Sequence, residues 1–188
     1  MEIENEKMRA FSRLLSSEGP ALGLIGPKES EKVWERHIEN CAVLAPFIDA
    51  LKASRVVDVG SGAGLPGVVL SILLPSVSFT LLEPRALRKG WLDRMKNELD
   101  LKNVAVFKIK AEQWRGGKFD AAVCRALAPL PKLIGLLSPL LKPDGTAFAL
   151  KGRSVEEEMK GIGAVKLSQV IQEDGEVTNV VSFKARRR

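Results

Sequence analysis

RVVDVGSGAGLPG, residues 55–67, decides the fold of this chain. Its first part, Val56–Val59, is rich in β-branched apolar residues, as buried strands are, and it ends abruptly in glycines. Apolar residues return at helical spacing over Val68–Leu73, so the pattern predicts a strand, a tight glycine loop and a helix. Glycines let the backbone approach a ligand closely, and the first turn of a helix offers free N–H groups. The stretch therefore predicts a ligand-binding loop.

Length and composition indicate one globular domain with a small extension. The chain has 188 residues, of which 45% are hydrophobic and 28% charged, proportions that suit an apolar core with a polar surface. Its formal net charge is +6. This mild positive balance favours polyanionic partners such as nucleic acid, although ordinary surface charge gives the same value.

The cysteines and the apolar runs predict a cytoplasmic protein. Cys41 and Cys124 both lie in apolar stretches, where a free thiol is usually buried. Two isolated cysteines are not a disulfide framework, which indicates a reducing compartment. Residues 1–20 carry charges throughout, unlike a signal peptide, and no apolar run approaches about 18 residues, so we expect no membrane span.

The chain before the glycine loop is predicted to be a helical layer. Apolar residues recur at helical spacing over residues 2–16 and again from about Ser30 to Ala45, where Pro46 is expected to end the second helix. A short third helix should follow. We therefore divide the chain into a helical N-terminal extension, residues 1–52, packed on a main domain, residues 53–188.

Strand and helix patterns alternate from the glycine loop onward. The strands predicted after the first are Ser78–Leu82, Val104–Ile109, Phe119–Cys124, Gly145–Leu150, Val165–Ile171 and Val177–Phe183. Helical patterns lie over about 87–99, 130–141 and 154–161. Such alternation specifies a parallel sheet with helices on both faces, and Glu173-Asp174-Gly175 between the last two strands predicts an antiparallel hairpin. The fold class is thus α/β, with a Rossmann-like, mostly parallel seven-stranded sheet.

Ligands of such sheets bind beyond the carboxyl ends of the strands. The polar or glycine-rich segments that directly follow predicted strands are the candidates. They are the glycine loop, Glu83, Ala111–Glu112, Arg125 and Lys151–Arg153.

Two cofactors formally fit the glycine loop. Gly62-x-Gly64-x-x-Gly67 matches the dinucleotide fingerprint, but its first glycine should follow the strand directly, and counting from Gly60 places Leu65 where a glycine is required. Asp58-x-Gly60-x-Gly62-x-Gly64 describes the loop better and resembles motif I of the class I methyltransferases that use S-adenosylmethionine. Glu83 can accept both hydroxyls of a ribose, a role that it could also fill for NAD, whereas the reversed terminal hairpin favours the methyltransferase.

Four motifs together resemble the glucose-inhibited division protein B family. They are Arg36-His-Ile-Glu-Asn-Cys41, Asp58–Gly67, Cys124-Arg-Ala126 and Ala149-Leu-Lys-Gly152, and the similarity extends from about residue 22 onward. That family is the bacterial small-subunit ribosomal RNA guanine-N7 methyltransferases. The resemblance implies S-adenosylmethionine as cofactor, 16S ribosomal RNA or the small ribosomal subunit as partner, and N7 of a guanine as methyl acceptor.

The resemblance also implies site residues. The family's cofactor site falls on Gly60, Leu65, Ala111, Glu112 and Arg125, and the residues read directly from the pattern add Asp58, Gly62, Gly64 and Glu83. We expect Arg125 to take part in catalysis by positioning the cofactor carboxylate, the base O6 or a phosphate. N7 has a lone pair and no proton, so the reaction needs alignment and exclusion of water rather than a general base.

Basic residues around the mouth of the cofactor site are the candidates for RNA binding, because phosphate neutralisation supplies most non-specific affinity. They are Lys28, Arg36, Lys151 and Arg153. The tail Arg186–Arg188 is either an RNA-binding arm or a solvated terminus. His37 is either structural or in contact with RNA or cofactor.

Other functions stay open at this point. The chain could methylate another RNA or a small molecule, bind NAD as an oxidoreductase, or bind RNA without catalysis. The lack of any tyrosine and the misregistered fingerprint oppose the oxidoreductase, the basic rim opposes a small-molecule substrate, and the intact glycine loop opposes a non-catalytic module. No metal-ligand cluster or nucleophile–base motif is evident, so we expect no metal, and we expect a monomer.

Overall fold

A seven-stranded sheet in the order β3-β2-β1-β4-β5-β7-β6 forms the centre of the computed structural model, which describes residues 3, 5–172 and 175–185. The strands are β1 (Arg55–Val59), β2 (Ser78–Leu82), β3 (Val104–Phe107), β4 (Phe119–Arg125), β5 (Leu141–Lys151), β6 (Val165–Ile171) and β7 (Val177–Lys184). The first five strands pair in parallel, and β7 runs antiparallel between β5 and β6. The predicted fold class is therefore confirmed. Glu173 and Asp174 of the predicted hairpin turn, and the tail Arg186–Arg188, lie outside the described residues.

Helices cover both faces of the sheet. They are α1 (Glu6–Glu18), α2 (Asn40–Ala42), α3 (Ala45–Ala50), α4 (Gly67–Leu73), α5 (Ala86–Glu98), α6 (Leu130–Leu137) and α7 (Val155–Met159), with 3₁₀ turns at Pro27–Lys32, Ala111–Gln113 and Ser138–Leu140 and a π-helix at Trp34–Glu39. Successive residues of a strand point to opposite faces. Val56 packs with α1, α4 and α5, whereas the next residue, Val57, packs with α6.

The N-terminal helices share the core of the sheet. Met8, Phe11 and Leu15 of α1 are fully buried and belong to the same apolar cluster as Val56 of β1. One apolar cluster contains buried residues from both sides of residue 52. The division of the chain at that residue therefore stays a prediction.

The helix predicted from Ser30 to Ala45 is wrong as a single element. A 3₁₀ turn, a π-helix and the short α2 follow one another there. Pro46 does not end a helix but lies in the first turn of α3, where its missing N–H leaves no bond unmade. A π-helix widens the backbone by one residue per turn and is often found at functional sites.

β5 begins earlier than the pattern predicts. Leu141 was expected at the end of a helix but pairs with Phe119 of β4. The helical segment stops because Pro139 cannot continue an α-helical hydrogen-bond ladder, and a 3₁₀ turn replaces it. The register then shifts before regular pairing resumes at Ala121 and Thr146.

Asp120 fastens β1 to β4 and β5 at the edge of the sheet opposite the glycine loop. Its Oδ2 accepts the N–H groups of Ser54 and Arg55 at 3.0 and 2.9 Å, and its Oδ1 lies 2.6 Å from Nζ of Lys142. Burial raises the pKa of this carboxyl, but the bonds from Lys142 and the two amides outweigh it and hold the pKa at about 2, below the ordinary 3.8. The ionised form is favoured by folding, so its contribution to stability is present above about pH 4 and is lost as the pH falls toward 2.

We expect Asp120→Asn to lower the free energy of unfolding at pH 7 by about 1–2 kcal/mol, because the amide cannot pair with Lys142. Urea unfolding measures this loss, which should shrink as the pH is lowered from 4 to 2. Asp144→Asn removes an exposed carboxylate of β5, the strand that carries Lys142, and should change the value by less than about 0.5 kcal/mol. Equal losses in the two variants would contradict the role of Asp120.

Candidate active site

The glycine loop lies between β1 and β4, where the strand order reverses. Gly60, Gly62 and Gly64 have φ angles of 73°, 53° and 97°, a region that glycine enters without a Cβ penalty. The N–H groups of Gly60 and Ser61 donate to the carbonyl of Leu82 at 2.9 and 3.3 Å, which fixes the loop to the end of β2. The loop therefore borders the crevice in which doubly wound sheets bind their ligands.

Leu127 lies over this loop. A Cβ on Gly60 would come within 2.6 Å of Cδ1 of Leu127, so the close approach requires glycine. Sequence reasoning did not include Leu127, and its position two residues after Arg125 was the only available signal. Leu65, which was predicted to bind cofactor, is buried, whereas Leu127 is partly buried, so both leucines add apolar surface around the glycine loop.

The carboxylate of Asp58 joins β1 to α4 from inside the core. It is 0% exposed, and its Oδ2 accepts the N–H of Gly67 at 3.0 Å. Burial raises its pKa to about 7. Oδ1 has no hydrogen-bond partner within the described part of the chain. A buried acceptor without a hydrogen-bond partner is stabilised when a donor reaches it.

Glu83 at the end of β2 is held by two backbone amides. The N–H of Gly62 donates to Oε2 at 3.0 Å and the N–H of Arg85 donates to Oε1 at 2.8 Å. The residue is 3% exposed. Each carboxylate oxygen keeps acceptor capacity beyond these bonds, so Glu83 is a fixed acceptor for a pair of hydroxyl groups.

Ala111 and Glu112 form the start of the 3₁₀ turn after β3. Ala111 is buried in one apolar cluster with Val59 and Leu82, the last residues of β1 and β2, whereas the Glu112 side chain is exposed. The turn thus begins beside the ends of β1 and β2, the strands that lead into the glycine loop and Glu83.

Trp91 of α5 is a supporting residue that carries no predicted site role. Its indole Nε1 donates to the carbonyl of Ala63 at 2.9 Å, so a buried ring holds the middle of the glycine loop in place. A tryptophan on an apolar helix face is typical of a core, so nothing in the sequence indicates this contact.

Arg125 fastens the end of β4 to the π-helix. Its Nη2 donates to the carbonyl of Arg36 at 3.2 Å and lies 2.8 Å from Nδ1 of His37, and its Nη1 lies 3.6 Å from Sγ of Cys41. A guanidinium has only donors, so Nδ1 of His37 accepts and the ring proton is on Nε2. Burial, together with the nearby Arg125, lowers the pKa of His37, which leaves the imidazole neutral at pH 7.

Both cysteines are buried beside this region. Burial raises the pKa of Cys41 to about 11 and that of Cys124 to about 12. The predicted buried thiols are therefore confirmed.

A polar cavity of about 600 Å³ opens next to Arg125. The exposed side chains of Arg36 and Arg153 line it together with Arg125 and His37. Lys28 is exposed on the preceding 3₁₀ turn, outside this cavity. The structure therefore brings two of the four predicted RNA-binding residues to one surface with Arg125.

Lys151 does not lie at the rim as expected. Its side chain is 9% exposed, and its Nζ lies 2.6 Å from Oε2 of Glu158 and donates to the carbonyl of Ala128 at 3.1 Å. Glu158 also accepts the N–H of Leu130 at 2.9 Å. The ammonium group of Lys151 thus links β5 to α7 and to the start of α6. These contacts form only in the folded chain, so the sequence could not show them.

Comparison with known families adds to this geometry. The GidB family model, described as rRNA small subunit methyltransferase G, matches residues 4–188. The chain belongs to this family. An rRNA small subunit methyltransferase G from Thermobifida fusca is 48% identical over 151 residues, which are 80% of this chain and 63% of that protein. One from Corynebacterium diphtheriae is 40% identical over 192 residues, which cover 95% of this chain and 85% of the relative. The resemblance seen in the motifs is confirmed.

Solved structures show that this GidB family member has the class I methyltransferase fold. The O-methyltransferase TomG from Streptomyces achromogenes, in complex with SAM, matches with a TM-score of 0.65 at 14% identity, over 97% of this chain and 91% of that one. The tRNA (m1A58) methyltransferase TrmI from Aquifex aeolicus matches with a TM-score of 0.62 at 16% identity, over 79% of this chain and 69% of that one. At these identities the likeness establishes the fold.

Asp58 gives the site a pH-dependent signature. Because burial raises the pKa of this acid from 3.8 to about 7, folding disfavours its ionised form. The stability of the native chain should therefore fall as the pH rises from about 4 to 7 and then level off.

We compare the free energies of unfolding of Asp58→Asn and of the native chain. Between pH 4 and pH 8 the difference should shift by about 2–4 kcal/mol in favour of Asp58→Asn, since a neutral amide does not feel this penalty. Denaturant unfolding of both proteins at the two pH values measures the difference. Asp49→Asn, on exposed Asp49 of α3, should show no such gain. A pH-independent difference for Asp58→Asn would rule out a raised pKa.

Proposed function

We propose that this chain transfers the methyl group of S-adenosylmethionine to N7 of a guanine in 16S ribosomal RNA. One observation carries the proposal: the glycine loop follows β1, Arg125 with its cavity lies at the end of β4, and these two neighbouring strands are where the strand order reverses. The relatives' shared name, rRNA small subunit methyltransferase G, supports ribosomal RNA as the substrate.

The crevice fits S-adenosylmethionine residue by residue. The fixed carboxylate of Glu83 suits the two ribose hydroxyls, because its orientation is set by two amides before any ligand binds. The unpartnered Oδ1 of Asp58 suits the ammonium group, since an added positive charge would also keep this buried acid ionised. The proposed cofactor residues are Asp58, Gly60, Gly62, Gly64, Leu65, Glu83, Ala111, Glu112 and Arg125.

The chemistry requires alignment more than proton transfer. S-adenosylmethionine, when bound, supplies an electrophilic methyl group on a sulfonium centre. N7 of guanine carries a lone pair and no proton, so no side chain must act as a general base. The buried Leu65 and the partly buried Leu127 beside Gly60 would limit the access of water, and the glycine loop and Glu83 would fix the donor's position.

Arg125 has a positioning task in this mechanism. Its guanidinium is directed to the Arg36 carbonyl and to His37, so its charge is turned toward the π-helix. This arrangement limits repulsion with the positive charge that forms on the methylated base. Arg125 also places the π-helix beside the crevice, and it is the residue that we assign to catalysis.

We further propose a cytoplasmic monomer that acts on 16S ribosomal RNA, either free or in the small subunit. The net charge of +6 and the exposed Arg36 and Arg153 beside the crevice support a polyanionic partner. Within residues 3, 5–172 and 175–185, no helix is long and apolar enough to cross a membrane. Over the same residues, no group of three or more His, Cys, Asp or Glu side chains could hold a metal ion.

Methyl transfer from labelled S-adenosylmethionine tests this function. The protein is incubated with unmodified small ribosomal subunits or with naked 16S ribosomal RNA, and the labelled base is mapped. We expect label at N7 of a guanine in one of the two substrates. Absence of transfer to both, together with binding of NADH, would overturn the proposal in favour of an oxidoreductase.

We expect Arg125→Ala to lower kcat/KM for methyl transfer by about 100-fold or more, because the π-helix and the crevice lose their alignment. Circular dichroism should show an unchanged fold. Arg13→Ala, on an exposed arginine of α1, is the matched control and should stay within about twofold of the native rate. Near-normal turnover by Arg125→Ala would remove this residue from the site.

A further inference from the structure

The polar cavity beside Arg125 contains polar side chains that the mechanism does not use, His37 and Glu29 among them. The cavity lies between the π-helix, the end of β4 and the β6–β7 hairpin, and Glu29, His37, Arg125 and Arg153 are among its lining residues. Arg125, at the end of β4, lines this cavity, and β4 pairs with β1, the strand that leads into the glycine loop. A base held here would therefore lie at the same edge of the sheet as the proposed cofactor site.

His37 supplies a buried donor in the wall of this cavity. Its side chain is 5% exposed, and its Nε2 has no hydrogen-bond partner in the part of the chain that the structure describes. Because Nδ1 accepts from Arg125 at 2.8 Å, Nε2 carries the proton. A buried N–H without an acceptor is costly, so it marks a place where an acceptor from outside is favoured.

Glu29 supplies an acceptor beside that donor. Its Oε2 accepts the N–H of Gly26 at 2.7 Å, which anchors the carboxylate at the start of the 3₁₀ turn. Its Oε1 lies 3.7 Å from Nε2 of His37, too far for a hydrogen bond. A donor and an acceptor thus lie side by side without satisfying each other.

The edge of guanine complements this pair. Guanine presents the acceptor O6 next to the donor N1–H, whereas adenine presents a donor amino group next to an acceptor nitrogen. O6 lies between N1 and N7 along the edge of the base. A guanine that meets Glu29 with N1–H and His37 with O6 therefore has N7 on the side of O6 away from Glu29.

We propose that His37 and Glu29 select the acceptor base: Nε2–H of His37 donates to O6 of guanine, and Oε1 of Glu29 accepts from N1–H. This inference rests on the proposed function, because it names how the same site chooses its base. Entry of the base requires a sideways shift of the Glu29 carboxylate, which is 36% exposed. A base with the adenine pattern would instead leave both protein groups unpaired, which is the strongest form of rejection that a polar site offers.

His37 is the only histidine of the chain, so its ring signals in NMR report on this cavity alone. Two short uridine-rich RNAs that differ only in one central guanine or adenine are the probes. We expect the guanine RNA to shift the ring signals of His37 and to bind about tenfold or more tightly than the adenine RNA. Equal affinities, or no shift with the guanine RNA, would overturn the assignment.

Glu29→Gln tests the acceptor directly. The side-chain carbonyl can still accept from Gly26, while the amide group places a donor where guanine also has a donor. We expect the preference for guanine over adenine to fall below about twofold. Glu31→Gln makes the same charge change on the same 3₁₀ turn at the rim of the cavity, so it should keep the preference. A tenfold preference that survives in Glu29→Gln would refute the role of Glu29.

The methyl-transfer assay separates this inference from the proposed function. Guanine-selective shifts of His37 without methylation at N7 would refute the proposed function and leave the base-selecting pair in place. Methylation at N7 without such shifts would support the proposed function and refute the base-selecting pair.

Discussion

The hydrogen bond from the N–H of Gly67 to the buried carboxylate of Asp58 is the constraint on which the crevice depends. It ties the end of β1 to the start of α4 and so closes the glycine loop into a fixed shape. Gly67 must lack a side chain, because a Cβ there would lie 2.4 Å from Leu81 and 2.5 Å from Oδ2 of Asp58. A carboxylate without water is unfavourable in its ionised form. The fold therefore accepts a local cost in order to keep one acceptor oriented at the switch point of the sheet.

The sheet could be predicted from the sequence because its information is local. Buried parallel strands are continuous apolar runs bounded by turn residues, and Ser78–Leu82 was predicted with the ends that the structure shows. The antiparallel edge strand Val165–Ile171 was also predicted with its observed ends, because turn residues follow it in the sequence. The glycine loop and Glu83 could be placed for the same reason, since residues that follow strands meet at one edge of the sheet.

The errors arise where contacts between distant elements decide the outcome. The bond from Arg125 to the carbonyl of Arg36 holds a π-helix where apolar spacing alone predicted a continuous helix. Lys151 was placed at the rim by its position after β5, but Glu158 draws it inside. Leu127 was missed because only the folded chain brings it over Gly60. The partners of Arg125 and Leu127 lie far away in sequence, and the pairing of Lys151 with Glu158 depends on how α7 packs on β5.

The sulfur atom that contacts Arg125 has a consequence for chemical durability. The thiolate, not the thiol, reacts with peroxides and electrophiles. With the pKa of Cys41 raised to about 11, almost none of this group is ionised at neutral pH, and burial keeps oxidants away from it. While the fold is intact, oxidative stress therefore has no ready route to the arginine's surroundings, even though a cysteine lies within 3.6 Å of the guanidinium.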